Sequence, residues 1–146
     1  MRRFLSLALM LATVLATLLA LGCGSAGSAR PATVAKPDMN VELAHDLFFG
    51  SGSTAPATID VTVLNRATIP ILLRRVELSS PGMVQYGIYP ITRQFRETIQ
   101  PGETKTVAVF ATAQTSVRRP TEPLTLRAIV DFEASGKVWR EMLITR

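Results

Sequence analysis

The chain has 146 residues, sixteen Lys and Arg against eleven Asp and Glu, one His and one Cys. A single cysteine excludes an internal disulfide and any thiolate metal cluster. The formal charge of +5 is mostly arginine, thirteen Arg to three Lys, and too little of it remains beyond the first residues to suggest a nucleic-acid binder.

Arg2 and Arg3 are followed by eighteen uncharged residues, 4–21, and then by Gly22, Cys23 and Gly24. A charged start, an apolar run and a small residue at its end form the grammar of an export signal. Leu19, Ala20, Leu21 and Gly22, followed by Cys23, resemble the lipobox of bacterial lipoproteins. That resemblance implies diacylglycerol on the Cys23 thiol, cleavage before it, and acylation, typically with palmitate, of the new amino group. Gly24 is not the aspartate that in enteric bacteria retains lipoproteins in the inner membrane. The resemblance thus implies an outer-membrane anchor facing the periplasm, with the outer face of the cytoplasmic membrane or the cell surface as alternatives. An uncleaved signal anchor stays open, because eighteen apolar residues are about enough to span a bilayer. In both cases the remainder faces outward, since positive charge stays on the cytoplasmic side.

Removing residues 1–22 from 146 leaves 124, room for one domain. Fourteen cations then face eleven acids, a net charge of about +3. Cys23 and the small, proline-containing stretch to Asp38 read as a lipidated tether, 23–38. The domain is expected over 39–146.

From Met39 onward the period is two and no helical stretch follows. Met39, Val41, Leu43, His45 and Leu47 share one parity, giving a first strand with one wet face. Gly50, Ser51, Gly52 and Ser53 break it. The spacing predicts a strand over 57–65, with Ile59, Val61 and Val63 on one side. In the next run, Ile71 and Leu73 are apolar at odd positions but Val76 and Leu78 at even ones. A β-bulge near Arg74 and Arg75 reconciles the two halves. Ser80, Pro81, Gly82 and Met83 form a turn, and 85–99 holds one or two short strands. Gln100, Pro101, Gly102 and Glu103 form a second Pro-Gly turn leading into a strand over 104–112. A loop covers 115–123. The last two runs are the clearest: Leu124, Leu126, Ala128, Val130 and Phe132 alternate with polar residues, and Ser135-Gly136 marks a hairpin before the strand 138–145. About seven short strands with regular turns and no crossover helices predict an all-β, antiparallel sandwich behind a signal-peptide helix and linker.

Val63, Leu64 and Asn65, then 69–78, resemble a stretch of late-embryogenesis-abundant group 2 proteins, also called water-stress and hypersensitive-response domains. The turn at 99–104 and the closing hairpin fit the same pattern, with Arg66 standing where that family usually has proline. The resemblance implies an immunoglobulin-like or fibronectin-like sandwich without a catalytic site, in a family whose bacterial members are often lipoproteins connected with desiccation stress.

Few residues offer chemistry. His45 is the only histidine, placed by parity on an apolar face, and no cluster has metal-ligand spacing. Gly50, Ser51 and Gly52 lack the lysine and helix of a phosphate loop. The arginine pairs Arg74 and Arg75, Arg93 and Arg96, and Arg118 and Arg119 are the candidates for contact with an anion: phospholipid heads, lipopolysaccharide or teichoic polymers. Strand neighbours point to opposite faces, so Arg74 and Arg75 can face one partner only across a bulge. Trp139 reads as a core anchor, and Tyr86, Gly87, Ile88 and Tyr89 as a possible aromatic patch for a protein partner. The expectation is a lipid-anchored binding or structural module, an accessory of a cell-envelope complex, with no cofactor beyond the lipid. The alternatives are a stress-protective domain and a small enzyme or solute-binding lipoprotein.

Overall fold

A computed structural model describes residues 34–81, 85–117 and 123–145. The expected antiparallel sandwich is present, with eight strands. These are β1 (Asp38–Leu43), β2 (Thr54–Leu64), β3 (Ile71–Ser79), β4 (Tyr86–Ile88), β5 (Ile91–Ile99), β6 (Thr104–Thr115), β7 (Leu126–Ala134) and β8 (Lys137–Thr145). The first sheet has the order β1-β2-β6-β4 and the second β5-β3-β7-β8. Connections that cross between the two sheets give the strand positions of an immunoglobulin-like sandwich. One detail departs from that plan. The three-residue β4 takes the edge beside β6 before β5 takes the edge beside β3. It is also what raises the expected seven strands to eight.

Alternation builds the core directly. Ile59, Val61 and Val63 of β2 and Val107, Val109, Ala111 and Ala113 of β6 are buried from one sheet. Ile71, Leu73, Val76 and Leu78 of β3 and the even positions 126–134 of β7 are buried from the other. Phe132, wholly buried, stacks on the half-buried Trp139 with centroids 5.6 Å apart. Burial of such side chains at about 1.5–3 kcal/mol each is the main stabilising term.

The turns follow their residues. Glu103 N donates to Gln100 O at 3.0 Å, and Gly102 takes the φ of 75° that the third position of a type II turn requires. Ser135 and Gly136 both have positive φ, 49° and 74°, so the closing hairpin turns through a type I′ pair whose hand matches the strand twist.

Three expectations need correction. The first strand ends at Leu43 rather than Leu47, and Ala44, His45 and Asp46 are exposed in the following loop. The second strand starts at Thr54, since Ala55 and Ala57 continue the buried parity. The tether is shorter than 23–38: Val34 packs against the core, Pro37 is buried, and Asp38 already pairs with Leu64. The signal segment and its helix, Leu19, Ala20, Leu21, Gly22 and Cys23, lie outside the described residues, as do Gly82, Met83, Arg118 and Arg119.

Candidate functional site

The bulge forecast at Arg74 and Arg75 is where the register of β3 shifts, against both β5 and β7. Leu73 and Val76 both point into the core, so the extra residue leaves Arg74 and Arg75 together on the outer face. Each meets an acid on β7. Arg74 Nη1 donates to Glu133 Oε2 at 2.9 Å, and Arg75 Nε lies 2.9 Å from Asp131 Oδ2. Arg140 of β8 reaches the same carboxylate, its Nε donating to Asp131 Oδ1 at 2.8 Å. The Arg140 hydrogen bond, with the charge of Arg75 beside it, holds the Asp131 carboxyl below the usual carboxylate range although burial acts the other way. Two of the expected anion-contacting arginines are therefore committed to a network that ties β3, β7 and β8 together.

Arg93 and Arg96 are different. Both are exposed on the edge strand β5, and among the described residues neither makes an ion pair. Arg96 flanks an open depression of about 690 Å³ with Leu72, Arg74, Gln94, Phe95 and Glu133. The nearby Glu97 is taken up by Lys105 at 3.0 Å, which raises the lysine pKa and joins β5 to β6 across the sandwich. Arg96, beside the half-buried Phe95, is thus a free cation on the rim of a shallow hollow, suited to an anionic group at a surface.

The sequence reading passed over Asn65 as chemistry, yet among the described residues it is densely hydrogen-bonded. Wholly buried, its Nδ2 donates to Ile69 O at 2.9 Å and Ile99 O at 3.0 Å, and its Oδ1 accepts from the Ala67 amide at 2.8 Å. Its backbone pairs with the 100–103 turn, Asn65 N donating to Glu103 O and Gly102 N to Asn65 O. Only an amide side chain supplies both the two donors and the acceptor. The residue clamps the end of β2, the loop to β3 and the end of β5 into one corner. Its signal in the sequence was a lone polar residue at the end of an apolar run, just where the resemblance to late-embryogenesis-abundant proteins places an asparagine.

The other candidates separate. His45 is exposed and not on an apolar face. Tyr86 packs edge-on against Phe49 at 6.3 Å and Ile88 is buried, which leaves only Tyr89 of that segment well exposed. No group of three His, Cys, Asp or Glu among the described residues is placed to hold a metal.

No protein-family model matches the chain, and no curated protein matches it. Among solved structures it is similar to a protein from Archaeoglobus fulgidus, with a TM-score of 0.45 and 9% identity over 74% of this chain and 90% of that one. It is also similar to a FixG-related protein from Vibrio parahaemolyticus, with a TM-score of 0.32 and 12% identity over 76% and 95% of the two chains. Likeness at this level carries no argument about activity.

Proposed function

We propose that the chain is a lipid-anchored extracytoplasmic module, held at the outer membrane facing the periplasm, that binds or braces a component of the cell envelope rather than turning over a substrate. The observation that carries this reading is the lipobox-like run ending at Cys23, only eleven residue steps before Val34 joins the core. Even fully extended, that length reaches no more than about 40 Å. At about 0.8 kcal/mol per buried methylene, two or three acyl chains hold such a domain essentially permanently. Confinement to a thin layer raises the effective concentration toward any membrane-bound partner, so weak surface contacts suffice. Arg96 supplies such a contact for an anionic component, while Arg93 is exposed on the other side of the same strand. Mass spectrometry of the mature amino terminus is expected to show a diacylglyceryl-modified Cys23, and Cys23→Ala is expected to move the protein out of the membrane fraction. An intact Met1 with an unmodified thiol refutes processing.

A second reading, a stress-protective domain of the water-stress type, is favoured by the resemblance centred on Asn65. It predicts that deletion impairs survival of drying and leaves envelope assembly intact.

A further inference from the structure

Four strands lie at sheet edges, and three are guarded against contact with another surface. The outward positions of β1 are Asp38, Asn40 and Glu42, those of β5 are Thr92, Gln94, Arg96 and Thr98, and β4 has only three residues. β8 differs. Its outward row is Val138, Arg140, Met142 and Ile144, and the three apolar members are 56%, 58% and 52% exposed. Ile129 of β7 stands directly beside Met142 and widens the row. Of the charged residues beside it, Arg140 stands within the row against Asp131, Arg127 is opposite Ile144 and Glu133 opposite Val138, with Lys137 at the hairpin end.

The chain enters the domain at this same edge. Lys36 Nζ lies 3.0 Å from Glu141 Oε2, and Pro37, Asp38 and Met39 line a shallow hollow with Met142 and Leu143. A lipid on Cys23 is therefore tied, by a short length of chain, to the one edge strand that presents an apolar row. Apolar side chains that settle into the headgroup and acyl boundary, with cations beside them facing anionic lipid, are the chemistry of a surface that lies on a membrane. Arg140 stands within the row with its head held by Asp131, and a long side chain of this kind can keep its charge in the polar layer while its stem lies along apolar surface.

We infer that the outer face of β8 docks the domain onto an anionic leaflet, with Val138, Met142 and Ile144 as the inserting row. The inference rests on the lipid-anchor reading, because three half-exposed side chains are too few to hold a free protein on a bilayer. For an anchored one, docking is an intramolecular step that fixes which face looks away from the membrane.

The test uses the full lipidated chain in vesicles of phosphatidylethanolamine and phosphatidylglycerol that contain doxyl-labelled lipid. Acylation leaves no free thiol, so Met142→Cys and Phe110→Cys each take one environment-sensitive fluorophore, at β8 and on the opposite sheet. Quenching is expected to be several-fold greater at position 142. Adding Val138→Asp and Ile144→Asp is expected to reduce it to the level at 110 while the protein stays in the membrane fraction. Equal, weak quenching at both positions, with the lipid mass present on Cys23, overturns docking and leaves the anchor standing. Absence of that mass removes the anchor and the docking with it. Disulfide-linked dimers of the unlabelled Met142→Cys protein under air oxidation, with no quenching of the labelled one, overturn it in favour of a second copy of the chain.

Discussion

The two outer faces of the sandwich arise from the same alternation and share almost nothing else. On the sheet formed by β1, β2, β6 and β4, the outward positions carry Thr54, Thr58, Thr62, Thr104, Thr106 and Thr112, with three acids, Asp38, Glu42 and Asp60, and no cation. On the other sheet they carry Arg74, Arg75, Arg96, Arg127 and Arg140 against Glu77, Asp131 and Glu133, and the apolar row of β8. Over these outward positions the first sheet carries a charge of −3 and the second +2, so the two faces differ in sign. The threonine face is held by backbone pairing and short contacts such as the Thr62–Thr106 hydroxyl bond of 2.9 Å. The arginine face adds side-chain links across three strands. An acid or an aromatic ring therefore has different consequences according to the face it occupies.

The sharpest contrast is between two phenylalanines. Phe132 is wholly buried between the sheets, whereas Phe110 on the threonine face is 65% exposed. Phe132→Ala is expected to cost about 3–5 kcal/mol and Phe110→Ala less than about 0.5 kcal/mol, read as midpoints in urea unfolding. Comparable losses would mean that the threonine face is covered in the native protein.

Asn65 belongs to neither face and joins both sheets at one corner. Asn65→Ala strips partners from the Ile69 and Ile99 carbonyls and the Ala67 amide, and is expected to cost about 2–4 kcal/mol. Asn65→Asp should be no better, since an ionised oxygen would face two carbonyl oxygens. A loss under about 0.5 kcal/mol would show that water replaces the clamp.

Asp131 and Asp60 compare an acid on each face. Asp131→Ala leaves Arg75 and Arg140 without their shared partner and is expected to cost about 1–2 kcal/mol. Asp60→Ala, with no cation beside it on its face, should fall within about 0.5 kcal/mol of zero. The pH dependence follows from the sign of the Asp131 shift. Its folded-state pKa is depressed, so the stabilisation is complete above the unfolded carboxylate value near 3.9 and is lost as pH falls through the lower folded value. Unfolding midpoints for wild type and Asp131→Asn should therefore draw together as pH falls below the usual carboxylate range. A gap that persists there would assign the loss to packing.

The one stabilising change expected, and a small one, is at the hairpin between β7 and β8. Ser135 holds a φ of 49°, where asparagine is better tolerated. Ser135→Asn should raise stability by about 0.5 kcal/mol, detectable as a small increase in Tm.

The elements that could be read from the chain were those whose side chains repeat the backbone period. The β7–β8 alternation, the Pro-Gly turn at 100–103 and the parity break at Arg74 and Arg75 were all legible, because a strand that buries one face must show it every second residue. The end of β1 was not. Leu47 continues the parity of Leu43, yet pairing stops at Leu43 and the loop that follows leaves His45 in solvent. The residues 34–37 look like linker by composition, but Val34 and Pro37 find apolar surface that only the assembled sheets provide.

The same division runs through the candidate site. Amino-acid order alone determined the strand class and the bulge, because each is a local pattern with a local cause. Tertiary structure alone decided which arginines are free. Arg74 and Arg75 find acids 59 and 56 positions away along the chain, whereas Arg93 and Arg96 on the edge find none among the described residues. Whether a charge is compensated depends on its neighbours across the sheet, and strand order, which periodicity does not encode, chooses those neighbours.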